Sequence, residues 1–183
     1  GSMGNNGEEQ GPPGTAKNAI GVQATMRDPN ENSFGDGNNG PTADGRRKPD
    51  LSSPGCTITS AQVNTACTIT QDQNIPDYST LPTPICATSW ATPSVAAAAA
   101  LVRQYYTEGF YPSGTKQPHN AFVPSGALLK ATLLNGTLDM TGPAGYPSNT
   151  EGWGVLRMDD ALYFAGDPRN LRVWDVRNAS GLA

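Results

Sequence analysis

Residues 86 to 106 run CATSWATPSVAAAAALVRQYY, and no other stretch constrains the fold as strongly. Ala91, Val95, Ala98, Ala99 and Val102 recur at helical spacing, and the opposite side is alanine too. A helix from Ser89 to about Glu108 is expected, and one that is apolar all round asks for cover on every side. Pro93 falls in its first turn, where the missing N–H costs no helical bond. Ser89 stands at the start of this helix, and two readings follow from that place. A serine there is ordinarily an N-cap that satisfies orphan backbone N–H groups. The same place offers partial positive charge and free N–H groups, which stabilise an anionic tetrahedral intermediate beside a nucleophile. Thr88, Ala87 and Cys86 are small enough to let a peptide approach.

Composition removes several functions. The 183 residues carry 16 acidic and 12 basic side chains, a net charge of -4. No Lys/Arg block exceeds Arg46-Arg47-Lys48, so neither nucleic acid nor an anionic membrane has an electrostatic footprint here. No apolar segment reaches the roughly 20 residues that span a bilayer. With 21 Gly, 16 Pro and 36% hydrophobic residues, connections take up much of the chain. Gly1-Ser2-Met3 reads as an expression-tag remnant, so residue 1 is not expected to be the native start.

The three cysteines, Cys56, Cys67 and Cys86, lack the short paired spacings of a zinc site, and His119 is the single histidine. An odd count leaves one pair with a free thiol, or a bond outside the chain. A Cys67–Cys86 bond would close a polar loop and would suit a secreted protein.

Along the chain, Asn18–Thr25 reads as the first strand, followed by a turn-rich loop from Asp28 to Gly45. A Pro-punctuated stretch leads to a second strand near Cys56 to Ala61. Two later helices are expected. One spans Ser125–Leu134 with Ser125 as its cap, and a short one spans Met158–Phe164 after the Gly152-Trp153-Gly154 turn. Residues 171 to 180 read as a final strand.

Taken in order, these stretches resemble the subtilisin-like serine proteases. ATSWATPSVAAAAALV is similar to that family's Gly-Thr-Ser-Met-Ala-x-Pro signature and the small-residue helix after it. Gly4-Asn5-Asn6-Gly7 resembles the segment with the oxyanion-hole asparagine, and Pro13–Thr25 the strand that follows. GPTADGRRKPDLSSPG, Gly40 to Gly55, resembles a third family stretch, and the two late helices with their Gly-x-Gly turn a fourth. The likeness is strongest to bacterial alkaline subtilases that carry a β-sandwich after the protease domain.

The resemblance implies an α/β fold, the C-terminal half of a three-layer α/β/α arrangement around a mostly parallel sheet. Residues 4 to 170 would form this part of the catalytic domain, and 171 to 183 the start of a β-domain or linker. It implies Ser89 as nucleophile and Asn5 as the side-chain donor that completes an oxyanion hole with the Ser89 N–H. Asn6, Gly7, Pro13 and Thr88 would line the substrate site, Pro13 with a cis bond where the sequence alone predicts trans. The protein would be secreted, extracellular or periplasmic, with a polypeptide as substrate.

Two departures stand next to the serine: Ala87 replaces the signature glycine and Trp90 the oxidisable methionine. A third is larger. Subtilases use Asp, His and Ser in that chain order, and the Asp and His motifs lie upstream of the oxyanion asparagine. His119 is no substitute, because it follows a helix about 27 Å long that begins at Ser89, and a proton shuttle needs about 3 Å. The expected partner is therefore the N-terminal half of the protease domain, supplying Asp and His. Without it the Ser89 hydroxyl is a weak nucleophile and the isolated chain hydrolyses little. A non-catalytic remnant that binds peptide or protein is the alternative, favoured by Ala87 and disfavoured by retention of Ser89 and Asn5. No cofactor is required for this chemistry. Structural calcium is common in the family, and Asp28–Asn32 offers alternate oxygens. That stretch lacks an EF-hand's Gly and closing Glu, so a solvated turn is the preferred reading and no metal ligand is assigned.

Overall fold

A computed structural model describes residues 1–6, 11–27, 29–61, 78–80, 85–140, 142 and 144–177. Its centre is a five-stranded sheet in the order β2-β1-β3-β7-β6. The strands are β1 (Val22–Thr25), β2 (Phe34–Asp36), β3 (Leu51–Pro54), β6 (Thr137–Leu138) and β7 (Val155–Leu156). β1 runs parallel to β3, and β3 to β7. The two edges, β2 and β6, are antiparallel. β1 is buried along its whole length and β3 nearly so, as parallel strands covered on both faces must be.

The strand expected near Cys56–Ala61 is only partly there. β4 (Thr59–Ala61) pairs with β5 (Tyr78–Thr80) in a separate two-stranded sheet. The strand that enters the main sheet is β3, in the Pro-punctuated stretch before the expected strand. Pro49 precedes β3 and Pro54 ends it, so neither breaks the ladder between them.

Helix α1 (Thr88–Thr107) packs Ala91, Val95, Ala98, Val102, Tyr105 and Tyr106 against Val22, Ala24 and Leu51. The expectation of cover on every side is not met within this chain. Ser89, Ala96, Ala97, Ala100 and Leu101 are exposed, Leu101 by 54%. Helix α2 (Gly126–Asn135) follows Ser125, whose Oγ accepts the Leu128 N–H at 3.1 Å, as its sequence requires. The last helix, α3 (Met158–Ala161), is shorter than expected.

Residues 171–177 form no ladder, in place of the final strand expected there. Their anchors are local: Asp175 accepts the Ser125 N–H at 2.9 Å and the Val173 N–H reaches the Tyr111 hydroxyl at 3.3 Å. Residues 1 to 3, expected as a tag remnant, lie along β1. Ser2 bridges to Val22 in parallel, and Met3 is buried in the core.

The disulfide joins Cys56 to Cys86, not Cys67 to Cys86; Cys67 falls outside the described residues. The pairing ties the loop after β3 to the residue two before the start of α1. With its ends 30 positions apart in sequence, replacing both cysteines by alanine is expected to cost about 3–4 kcal/mol by loop-closure entropy. A denaturant midpoint unchanged by the double replacement would contradict this.

Glu151 is fully buried beside the Gly-x-Gly turn, with Oε2 accepting the Met140 N–H at 2.8 Å and Oε1 without a partner. Burial pushes its pKa above the usual glutamate value. The folded state thus keeps a proton that the unfolded chain releases. This group's contribution to stability is present below the unfolded pKa and lost as pH rises through the folded one. Glu151→Gln in the intact protein should therefore raise the melting temperature more at about pH 7.5 than at about pH 4, and an equal offset at both would refute the assignment.

Candidate active site

The site forms where α1 starts against the end of β3. Gly55 accepts the Ala87 N–H on its carbonyl at 2.9 Å. A Cβ at Gly55 would stand 2.7 Å from the Ala87 carbonyl and 3.0 Å from the Ala91 methyl, so only glycine lets the helix begin this close to the sheet. Ala87 occupies the N-cap position and has no side-chain cap, which decides the first question about Ser89. Ser89 is one residue inside the helix and caps nothing. It is exposed, and neither its hydroxyl nor its backbone N–H bonds to any described residue.

Asn5 fills the role that Ser89 does not. Its Oδ1 accepts the Thr88 N–H at 2.7 Å and the Thr88 hydroxyl at 2.8 Å. Thr88 is fully buried and Asn5 is exposed, so this double anchor is half-buried. An amide has one oxygen and one NH2 group, and anchoring the oxygen leaves both Nδ2 hydrogens free to point away from Thr88. Asn5 is exposed, and its Nδ2 and the free Ser89 N–H thus belong to one helix N-terminus. Two unpaired donors beside an exposed hydroxyl are what a developing oxyanion needs.

The other expected site residues divide. The Pro12–Pro13 peptide is cis, as the resemblance implied, and Pro13 is exposed. Asn6 is exposed next to Asn5. Gly7 lies outside the described residues. Thr88 is buried and turns its hydroxyl to Asn5. Trp90 is half-buried in the first turn of α1.

His119 is remote, as expected. It sits in a short 3-10 turn, Pro118–Asn120, held to the C-terminal end of α1 by Gln117 N–H to the Gly109 carbonyl (3.1 Å) and Phe122 N–H to the Tyr106 carbonyl (3.2 Å). With α1 20 residues long, the two ends are separated by most of about 30 Å.

In the Asp28–Asn32 stretch, Glu31 Oε2 and Asn32 Oδ1 are buried without a hydrogen-bond partner. Asp28 lies outside the described residues, and the Glu31 carboxylate pairs with the Arg157 guanidinium at 2.9 Å. Among the described residues no group of three or more His, Cys, Asp or Glu is placed to hold a metal ion.

Sequence reasoning missed Asn38. Buried at 3% exposure, it bonds to Gly4 and to Asn6, the two neighbours of Asn5. A signal was available, because Gly-Asn-Asn-Gly occurs twice, at 4–7 and at 37–40.

Known proteins resemble this chain in sequence and in fold. Residues 1–154 match the model of the subtilase family, the S8 peptidases. The serine protease/ABC transporter B family protein tagB of Dictyostelium discoideum is 40% identical over 154 residues, 73% of this chain and 8% of its own length. The related tagD is 41% identical over 143 residues, 68% of this chain and 8% of its own length. The chain thus spans less than a tenth of the length of these relatives. They are Dictyostelium proteins, and the match supports the subtilase family without singling out the bacterial alkaline subtilases. Among solved structures, the prenylagaramide maturation protease PagA superposes with a TM-score of 0.61 at 22% identity, covering 87% of this chain and 47% of that one. A lanthipeptide protease gives 0.60 at 24% identity, covering 87% and 48%. These two likenesses establish the α/β fold with its mixed, mostly parallel sheet. By sequence match and by fold, the chain belongs to the subtilase family of serine proteases.

Proposed function

We propose that this chain supplies the nucleophile and the oxyanion hole of a serine endopeptidase whose Asp and His come from an N-terminal half of the same domain. The observation that carries the reading is the pairing at the start of α1. Ser89 is exposed with nothing bonded to its hydroxyl, and Asn5 is anchored by its oxygen with its NH2 free. The exposed strip Ala96, Ala97, Ala100 and Leu101 supports the second part. Small side chains let another element approach α1 closely, on the side that the sheet leaves open.

In the assembled enzyme the Ser89 hydroxyl attacks the scissile carbonyl carbon while the partner's histidine takes its proton. The carbonyl oxygen becomes an oxyanion held by the Ser89 N–H and Asn5 Nδ2. Collapse expels the amine, which takes the proton from the histidine, and water then releases the acyl group from Ser89. Peptide would lie along Asn6, Gly7 and Pro13. The Cys56–Cys86 bond accords with an oxidising, secreted setting.

A fluorophosphonate probe tests this reading, since it bonds only to an activated serine. Labelling at Ser89 is expected when the chain is combined with the preceding half of its parent protein, and little or none in the chain alone. A folded complex without labelling would instead make the chain a binding remnant.

A further inference from the structure

We infer that Asn38 is a positioning residue for the oxyanion donor, holding Asn5 by clamping the residues on either side of it. This inference rests on the proposed role of Asn5 and concerns a residue outside the motif that carries it.

Asn38 follows β2 and reaches both neighbours of Asn5. Its N–H donates to the Gly4 carbonyl at 3.0 Å. Its Oδ1 accepts the Asn6 N–H at 3.1 Å, and its Nδ2 donates to Asn6 Oδ1 at 3.1 Å. The contact is close enough to dictate sequence on the other side. Gly4 has φ +96, and a Cβ there would stand 2.5 Å from Asn38 Nδ2. Asn38 is itself held from beneath, since its carbonyl accepts Gln23 Nε2 at 3.3 Å. Gln23 is a fully buried residue of β1, and its Nε2 also reaches Asn39 Oδ1 at 3.2 Å.

The consequence is a division of labour around Asn5. Thr88 fixes the side-chain oxygen, which sets the rotation of the amide. Asn38 fixes the backbone on both sides, which sets where the amide is. An oxyanion donor contributes only if it is already in place when charge develops, and a buried clamp tied to a central strand supplies that. Asn38 touches no reacting atom, so its removal should mimic partial loss of Asn5 without affecting how substrate binds.

The test uses the intact protease, with active sites counted by fluorophosphonate so that the fraction folded does not enter kcat. Asn38→Ala is expected to lower kcat per active site by about 10- to 100-fold, with KM within about twofold. Affinity for a peptide boronic acid, which places an oxygen in the oxyanion hole, should fall in the same ratio. In an Asn5→Ala background the same replacement should cost less than about threefold, because the donor it positions is gone. Should Asn38→Ala fold poorly, Asn38→Asp keeps the acceptor for the Asn6 N–H and loses the donor to Asn6 Oδ1, and the same non-additivity is expected. A loss that multiplies unchanged in the Asn5→Ala background, or a fall in melting temperature with kcat per site intact, overturns the inference while the reading of Asn5 stands. No loss on Asn5→Ala itself overturns both.

Discussion

Replacing Ser89 by alanine in the intact protease is expected to lower peptide hydrolysis by about a million-fold, the loss recorded when a serine protease of this kind is stripped of its nucleophile. KM should change little, because Ser89 is exposed and bonded to no described residue, so its hydroxyl supports neither the helix nor the loop beside it. For the same reason the variant should melt at the wild-type temperature. The experiment compares initial rates on an unstructured protein substrate and thermal unfolding side by side. Retention of more than about a hundredth of the activity would show that another group is the nucleophile.

The second large effect concerns Asn5. Asn5→Ala is expected to reduce kcat by about 10²–10³-fold with KM nearly unchanged, the magnitude found when a side-chain oxyanion donor is removed from a related protease. The anchoring geometry explains why the loss should fall on kcat. Asn5 Oδ1 is committed to Thr88, and the NH2 group gains a partner only when the substrate oxygen becomes charged. Ser89 should still react with a fluorophosphonate, but more slowly. A raised KM with kcat intact would mean that Asn5 binds substrate in its ground state.

The start of α1 was legible from residues alone because its signal is local. The Thr88-Ser89 pair before a small-residue run announces a helix N-terminus, and the helix forms one residue from where the pattern starts it. Ser125 announced its own helix in the same way and caps it. Spacing did not show which residue takes the cap of α1. Ala87 takes it with no side-chain bond, because Asn5, 83 positions from Thr88, supplies the oxygen that a capping side chain would have offered. β3 escaped notice because two prolines at its margins obscure a strand whose partners, β1 and β7, are distant in sequence. The cysteine pairing escaped for a similar reason. Polar-loop length favoured Cys67, whereas the close approach of the β3 end to the α1 start puts Cys56 next to Cys86. Residues 171–177 show the opposite error, since a β-prone composition makes no strand without a ladder to join.

A crystal structure of the intact protease with a peptide boronic acid would test the central claim most directly. The account predicts a covalent bond from boron to Ser89 Oγ, with a boronate oxygen about 3 Å from both Asn5 Nδ2 and the Ser89 backbone nitrogen. Asn5 Oδ1 should remain on Thr88. An inhibitor bonded to a different residue, or a boronate oxygen facing away from Asn5, would contradict it.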